Sequence, residues 1–348
     1  MKNKNRGQKI VRTRDWEDKH ELSFTHDRAK HRKALGAPVV PYAPPIPADQ
    51  VKPNAVILSH SGHYAFVHHE GEEKLCVLDP ILGDPQSTVL AAGDEVLVEF
   101  IEEAPYPVVR AVLERRSKLS RLAHVHSKLA EQVIAANIDF LVVVASALKP
   151  RFKPGLVDRY LITADIGGVC PVVVINKIDL VDEEPEELAG YRELGFDVFT
   201  TSCVTGTGID SLRETLRGKL SVFAGHSGVG KSSLLNALDP ALDLTTNEVS
   251  AANDKGRHTT TGARLHFLKS GLRIIDTPGA RNLGIWGVSY EEIAYYFPEL
   301  AEIATSCRFR NCTHTHEPDC AVRDAVETGA MSKRRYDSYL RIRASLQD

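Results

Sequence analysis

The sequence predicts a multidomain protein: a small all-β barrel, a central α/β domain built on a parallel sheet, and a helical C-terminal domain that holds a metal. Three observations carry this. Residues 54–113 alternate short β-rich runs with Gly, Asp and Pro turns. Further on, the apolar run Pro171-Val172-Val173-Val174-Ile175 ends in a polar loop, as parallel strands buried on both faces do. Near the C-terminus, three of the six cysteines fall within fourteen residues. A length of 348 residues suits two or three domains.

Taken in order, residues 1–50 form a basic arm and a linker. Residues 1–33 carry 11 Lys/Arg against 5 Asp/Glu, without apolar period, although the whole chain has a net charge of −3. A disordered arm of the kind that binds nucleic acid fits, with a partnerless solvated tail as the alternative. The Pro-rich run from Pro38 to Pro47 follows. No hydrophobic stretch stands behind the basic N-terminus and no apolar run is long enough for a membrane span, so a cytoplasmic protein without a membrane partner is expected. Residues 51–113 then supply the barrel, with strands at Ala55-Val56-Ile57-Leu58, Tyr64-Ala65-Phe66-Val67, Leu75-Cys76-Val77-Leu78 and Glu95 to Phe100. Five or so strands in this length suit an OB-like barrel, with an SH3-like one as the alternative. Arg110 to Lys128 holds six Lys/Arg against the single Glu114, predicting a positive face for phosphate backbones.

The central domain, residues 114–283, carries two nucleotide motifs in an unusual order. Asn176-Lys177-Ile178-Asp179 follows the buried apolar strand, at the strand end where open α/β sheets bind ligands. The Asp179 carboxylate can accept both the N1–H and the exocyclic amine of guanine, a donor pair adenine lacks. Thr201-Ser202-Cys203, after the strand at Phe196 to Phe199, is placed to back the ring. Only then comes Gly225-His226-Ser227-Gly228-Val229-Gly230-Lys231-Ser232, which fits the phosphate-binding pattern G-x4-G-K-[ST]. Its glycines let backbone N–H groups cradle phosphates, Lys231 reaches the β/γ oxygens, and Ser232, followed by Ser233 at the start of a helix, ligates magnesium. Asp276-Thr277-Pro278-Gly279 ends the next strand, giving a carboxylate for the Mg²⁺ shell and, in Gly279, an N–H for the γ-phosphate. The polar stretch Lys255 to Gly262 is the candidate first switch, with Thr259 or Thr260 available to the magnesium. In an ordinary GTPase the phosphate loop precedes the guanine-reading segment. The simplest reading is therefore a circularly permuted α/β P-loop GTPase domain with GTP/GDP and Mg²⁺ as ligands. Ala280 follows Gly279 where Ras-like enzymes place a water-orienting Gln, so His258 is the candidate catalytic group.

Residues 284–348 form the C-terminal helical domain. Cys307-x4-Cys312-x-His314-x5-Cys320 supplies three thiolates and an imidazole for one closed tetrahedral structural Zn²⁺, with His316 as a possible replacement for His314. Cys76, Cys170 and Cys203 read as small core residues. Lys333-Arg334-Arg335 and Arg341-Ile342-Arg343 on a helix add a second candidate RNA-facing patch.

Together these segments, with Glu131 to Asp139 and the run Cys307 to His314, resemble the RsgA family of circularly permuted GTPases, the ribosome small-subunit-dependent GTPases of bacteria. The resemblance spans about residues 54–345. It implies an OB domain, a permuted GTPase domain and a zinc-bearing helical domain. It also implies GTP hydrolysis stimulated by the small (30S) ribosomal subunit, contact with its rRNA, and a role in late maturation of that subunit. A monomer is expected. The alternative is a GTP-gated rRNA-binding module whose catalysis is incidental.

Overall fold

A computed structural model describes residues 51–82, 90–102, 104–125, 128–242, 263–276, 285 and 287–346. The expected arm (1–50), first switch (255–262), catalytic His258, magnesium threonines Thr259 and Thr260, and Gly279 with Ala280 all lie outside the described residues.

The first five strands are β1 (Ala55–Ser61), β2 (Tyr64–His69), β3 (Glu72–Leu78), β4 (Glu95–Glu99) and β5 (Val108–Val112), closed into a barrel in the order β1-β2-β3-β5-β4. The β3–β5 pair is parallel, and β4 returns antiparallel to β1. This Greek-key closure of five strands is an OB-like barrel. Alternate residues such as Ile57, Ala65, Val67, Cys76, Val96 and Val109 point inward and fill it.

Two long strands, β6 (Lys118–Val125) and β7 (Lys128–Ala136), then form an antiparallel ribbon. Beyond it comes a six-stranded sheet made of β8 (Phe140–Ser146), β9 (Cys170–Asn176), β10 (Asp197–Thr200), β11 (Leu220–Ala224), β12 (Arg264–Phe267) and β13 (Arg273–Asp276). Its order is β10-β9-β8-β11-β13-β12, parallel throughout except for the antiparallel edge strand β12. Strands β8, β9 and β11 are almost wholly buried, as expected where helices cover both faces. The helices are α1 (Pro154–Ile166), α2 (Glu187–Glu193), α3 (Ile209–Leu216) and α4 (Lys231–Leu238). The sheet explains why permutation is tolerated. Strand β11, which leads to the phosphate loop, sits centrally between β8 and β13 whether the chain reaches it first or fourth.

The C-terminal domain holds α5 (Pro298–Ala304), α6 (Ala321–Glu327) and α7 (Lys333–Ala344) around Phe297, Leu300, Val322, Tyr339 and Ile342. Ile162 of α1 inserts into this cluster, while Val157, Tyr160, Leu161 and Ala164 of the same helix face the sheet. Helix α1 is therefore buried on most of its circumference, polar Asp158 and Thr163 included, because two domains cover it.

The barrel lies against the edge strand β12. Arg264 of β12 donates to both carboxylate oxygens of Glu73 at 2.8 and 2.7 Å, and His68 stacks on Phe267 with ring centroids 4.1 Å apart. An edge strand left open invites pairing with another chain, and the docked barrel blunts it.

Two sequence expectations are corrected by burial. Arg110, itself buried, donates to Asp79 and Glu99 at 2.5 Å, and Arg115 binds Asp94 at 2.7 Å, so neither contributes to a positive face. Alternation with the inward Val109 turns Arg110 to the outer face of β5, where a free cation is the natural reading. Its carboxylate partners, the buried Asp79 and the exposed Glu99, lie 31 and 11 residues away and are not legible. Cys170, expected in the core, is exposed, because it is the first residue of β9.

Candidate nucleotide site and metal centre

Strands β8 and β9 end level, Asn176 pairing with Ser146, and β11 ends beside them three residues earlier, Ala224 pairing with Val143. This alignment brings the expected guanine-reading and phosphate loops together at one sheet edge. Gly225 has φ of +148°, and a Cβ there would lie 2.1 Å from the carbonyl oxygen of Val144. Gly230 has φ of +93°, and a Cβ would lie 2.5 Å from the side-chain amide of Asn176. Both positions thus exclude a side chain on backbone conformation and on space.

The two motifs are hydrogen-bonded to each other. The buried Asn176 donates from Nδ2 to the Val229 carbonyl at 3.1 Å, and its Oδ1 accepts from Thr201 Oγ1 at 3.2 Å and Cys203 Sγ at 3.6 Å. Lys177 adopts the left-handed conformation (φ +62°), and its Nζ donates to Gly228 O at 2.6 Å and Lys149 O at 2.5 Å. Ile178 packs on the core below. The Asp179 carboxylate is exposed, and its Oδ1 accepts from Ser202 Oγ at 2.5 Å. Ser202 in turn accepts the backbone N–H groups of Val204 and Thr205 at 3.2 Å, which fixes the hydroxyl's direction. Cys203 is half-buried, and burial pushes its thiol up, so it remains a neutral S–H donor to Asn176.

The phosphate loop opens directly into α4, whose free N–H groups face an incoming anion. His226, Ser227 and Gly228 are exposed at its crest, while Val229 is buried beneath. Lys231 Nζ lies over the loop, donating to Gly225 O at 2.7 Å and His226 O at 2.9 Å. Ser232 and Ser233 are half-buried in the first turn of α4. Asp276 ends β13 beside β11, with Ile275 level with Val222, so its exposed carboxylate shares the edge where the phosphate loop begins.

Sequence reasoning missed two supports of this site. Lys149, in the loop after β8, supplies a carbonyl to Lys177, and Ser146 Oγ holds that loop through Pro150 O at 2.7 Å. Tyr160, buried on α1, hydrogen-bonds the backbone of Gly225. None of these residues stands in a recognisable motif; only strand adjacency brings them in.

In the C-terminal domain, the ligand atoms of Cys307, Cys312, His314 and Cys320 all lie within 4.8 Å of one another. His314 Nδ1 is 3.5 Å from the sulfurs of both Cys307 and Cys320. His316 is exposed, its Nδ1 2.8 Å from Thr315 Oγ1, so of the two histidines it is His314 that meets the thiols. The loop is held for this purpose: Tyr336 and Tyr339 donate to the carbonyls of His314 and Thr313 at 2.6 and 2.8 Å. Burial opposes charge on Glu317, yet hydrogen bonds from Thr313 and Thr315 outweigh it and hold the carboxyl below the usual range. Burial and the neighbouring thiols push Cys312 up to about 12, so a thiolate there requires a cation. A Cys₃His set at this separation fits Zn²⁺.

A second missed feature joins the domains. Asp158 of α1, fully buried, accepts from Arg335 at 2.6 Å, Arg334 at 3.2 Å and the Tyr191 hydroxyl at 2.7 Å. Arg335 also donates to Glu299 at 2.5 Å. The expected RNA-facing patch on α7 is corrected accordingly. Arg335 is buried and Arg334 half-buried in this junction, because their partners come from another domain.

A parallel nucleotide-binding sheet entered at its guanine-side strands, with the phosphate-loop strand reached fourth, defines a circularly permuted GTPase. Residues 112–286 match the family model described as RsgA GTPase, and the chain belongs to that family of GTP-hydrolysing enzymes. It is 42% identical over 261 residues to the "Small ribosomal subunit biogenesis GTPase RsgA" of Gemmatimonas aurantiaca, covering 74% of this chain and 84% of that one. Against the protein of the same name from Chlorobaculum tepidum it is 43% identical over 273 residues, covering 75% and 87%. Among solved structures it is similar to YjeQ from Thermotoga maritima, with a TM-score of 0.66, 33% identity, and 84% and 98% of the two chains covered. It is also similar to YloQ, described as a circularly permuted GTPase, with a TM-score of 0.64, 29% identity, and coverage of 85% and 95%.

Proposed function

We propose that this chain is a GTPase of small-ribosomal-subunit biogenesis, the role its curated relatives are named for. It hydrolyses GTP to GDP and phosphate on the small subunit, leaves after turnover, and works in the cytoplasm as a monomer. The observation that carries the reading is the bonding of one nucleotide loop to the other, Asn176 to Val229 and Lys177 to Gly228.

In this reading Asp179 accepts the guanine N1–H and amine, while Ser202 fixes the carboxylate's orientation. Thr201, Ser202 and Cys203 back the ring, and Asn176 with Lys177 stiffens the platform. The N–H groups of residues 225–233 hold the phosphates, and Lys231 turns from its loop carbonyls to the β/γ oxygens. The hydroxyl and carboxylate oxygens of Ser232 and Asp276 suit a hard cation, joined by Thr259 or Thr260. Bound Mg²⁺ would neutralise charge developing on the transferred phosphoryl group. Gly279 donates to the γ-phosphate, and His258 orients or deprotonates the attacking water that the alanine at 280 leaves unattended. One Zn²⁺ on Cys307, Cys312, His314 and Cys320 holds the C-terminal domain together. The domains run 51–113, 114–283 and 284–348, after the arm of 1–50.

Phosphate release measured with and without small subunits tests the reading. Slow basal turnover should rise in their presence, and His258→Ala should remove most of the rise, about 10²–10⁴ in rate, while sparing GTP affinity. Lys231→Ala should lose nucleotide binding itself. Absence of stimulation, with equal subunit affinity in GDP and in a non-hydrolysable GTP analogue, points instead to a passive RNA-binding module.

A further inference from the structure

The loop between β8 and α1 carries chemistry that the nucleotide site does not use. Its last five residues, Lys149-Pro150-Arg151-Phe152-Lys153, alternate: Lys149, Arg151 and Lys153 are exposed, whereas Pro150 and Phe152 are half-buried. Phe152 packs against the main core, so it anchors the segment and turns its charged neighbours outward. No ion pair engages any of the three cations among the described residues. Arg110, Arg115 and Arg335, by contrast, are neutralised by buried carboxylates.

Two further groups extend this surface. Helix α1 begins immediately after the loop. Pro154 has no N–H and that of Leu156 goes to Lys153 O at 3.0 Å, so of its first three residues Gly155 is the one whose N–H is left to face an anion. Arg341 of α7 is exposed and reaches the same turn from the C-terminal domain, its Nη2 lying 3.9 Å from where a Cβ on Gly155 would stand. The crevice beneath Arg151 and Lys153 holds only about 20 Å³, room for one water and not for a phosphate group. Anions must therefore be met on the open surface, by cations spread over a loop and a second domain's helix. That arrangement suits an extended polyanion better than a single small anion.

We infer that Lys149, Arg151, Lys153 and Arg341 form a docking surface for RNA phosphodiester backbone, placed beside the nucleotide loops. The inference rests on the ribosomal reading and deepens it by assigning the surface. It also gives RNA contact a route to the site. The loop is tied to the guanine motif through Lys177 and Lys149 O (2.5 Å), and to β8 through Ser146 and Pro150 O (2.7 Å). A phosphate strand drawing on Arg151 and Lys153 therefore pulls on the residues that set Lys177 against the phosphate loop.

The test uses the full-length Arg151→Glu/Lys153→Glu variant, with Arg341→Glu made separately. A carboxylate at the start of α1 complements the helix dipole, so the fold is not put at risk. Binding is measured to purified small ribosomal subunits and to a generic RNA duplex over a range of salt. The double variant should bind both about tenfold or more weakly, with the slope of log K against log salt reduced by roughly two. GTP affinity and basal turnover should stay within about twofold, and Arg151→Lys/Lys153→Arg should keep near-normal binding. Unchanged affinity and slope in both Glu variants overturn the inference. Loss on subunits without loss on the duplex overturns it too, because the partner is then a ribosomal protein. If the unsubstituted protein binds no subunits, the ribosomal reading fails, and the duplex measurement alone decides whether this surface takes RNA.

Discussion

At the scale of single residues, Asp179 shows how a short motif acquires its chemistry. The carboxylate is exposed, but Ser202 holds one oxygen at 2.5 Å and is itself fixed by two backbone N–H groups. The acceptor pair is thus oriented before any base arrives. Replacing it by an amide puts a donor where guanine presents a donor. Asp179→Asn should weaken GTP binding by about 3 kcal/mol, the scale of a charge-assisted bidentate contact, and should favour xanthosine triphosphate, whose extra carbonyl accepts from the new amide. Competition titrations with GTP, ATP and xanthosine triphosphate check this. Equal affinity of the unsubstituted protein for ATP and GTP would sink the assignment of Asp179.

Among the elements, the β12–β13 hairpin matters most, since it ends in Asp276 and carries the barrel on Arg264. Its turn is pinned by Asp239, the residue after α4, which is buried and accepts from Ser270 N and Oγ and from Ala241 N. Burial opposes the charge on Asp239, but these hydrogen bonds outweigh it and hold the carboxyl below its ordinary range. Its folded-state pKa being lowered, the stabilisation is full above the unfolded value of about 3.9 and disappears as pH falls through the folded value. Asp239→Asn should cost about 1–3 kcal/mol at neutral pH and flatten the acid side of the stability curve. Urea unfolding from pH 7 to pH 3 measures both. An unchanged acid limb in the variant means that other carboxylates govern it.

For the whole molecule, the decisive contact is the charged junction of α1 with α7. Arg335→Leu leaves Asp158 and Glu299 without their shared partner in a buried setting, a loss of about 3–5 kcal/mol. Pairing it with Asp158→Leu should recover part of that loss, because Asp158, left with only Arg334 at 3.2 Å as a cation, is a buried charge that goes with it. Stripping Zn²⁺ with a chelator should unfold the C-terminal domain first and leave GTP binding largely intact, since the phosphate loop stands on a separate core. Metal analysis and two-transition thermal unfolding, read with and without chelator, check both statements. Protein prepared with zinc present yet carrying none rules out the metal centre. A single cooperative transition after chelation shows instead that the junction fuses the two cores.

The sequence by itself determined the chemistry and its order. Asn176 to Asp179, Gly225 to Ser232 and the spacing of Cys307, Cys312, His314 and Cys320 are local patterns, and each element they need lies within a few residues. The permuted order was legible for the same reason, since chain order is what a sequence records. Which arginines remain free was decided only by the tertiary structure. Arg110, Arg335 and Arg151 look alike in the chain, yet the first two meet carboxylates brought from 31 and 177 residues away, and the last meets none among the described residues. The choice of His314 over His316, the barrel on β12, and the link from Lys149 to Lys177 are of the same kind. Each depends on which segments the sheet and its covering helices set side by side, and that adjacency leaves no trace in local spacing.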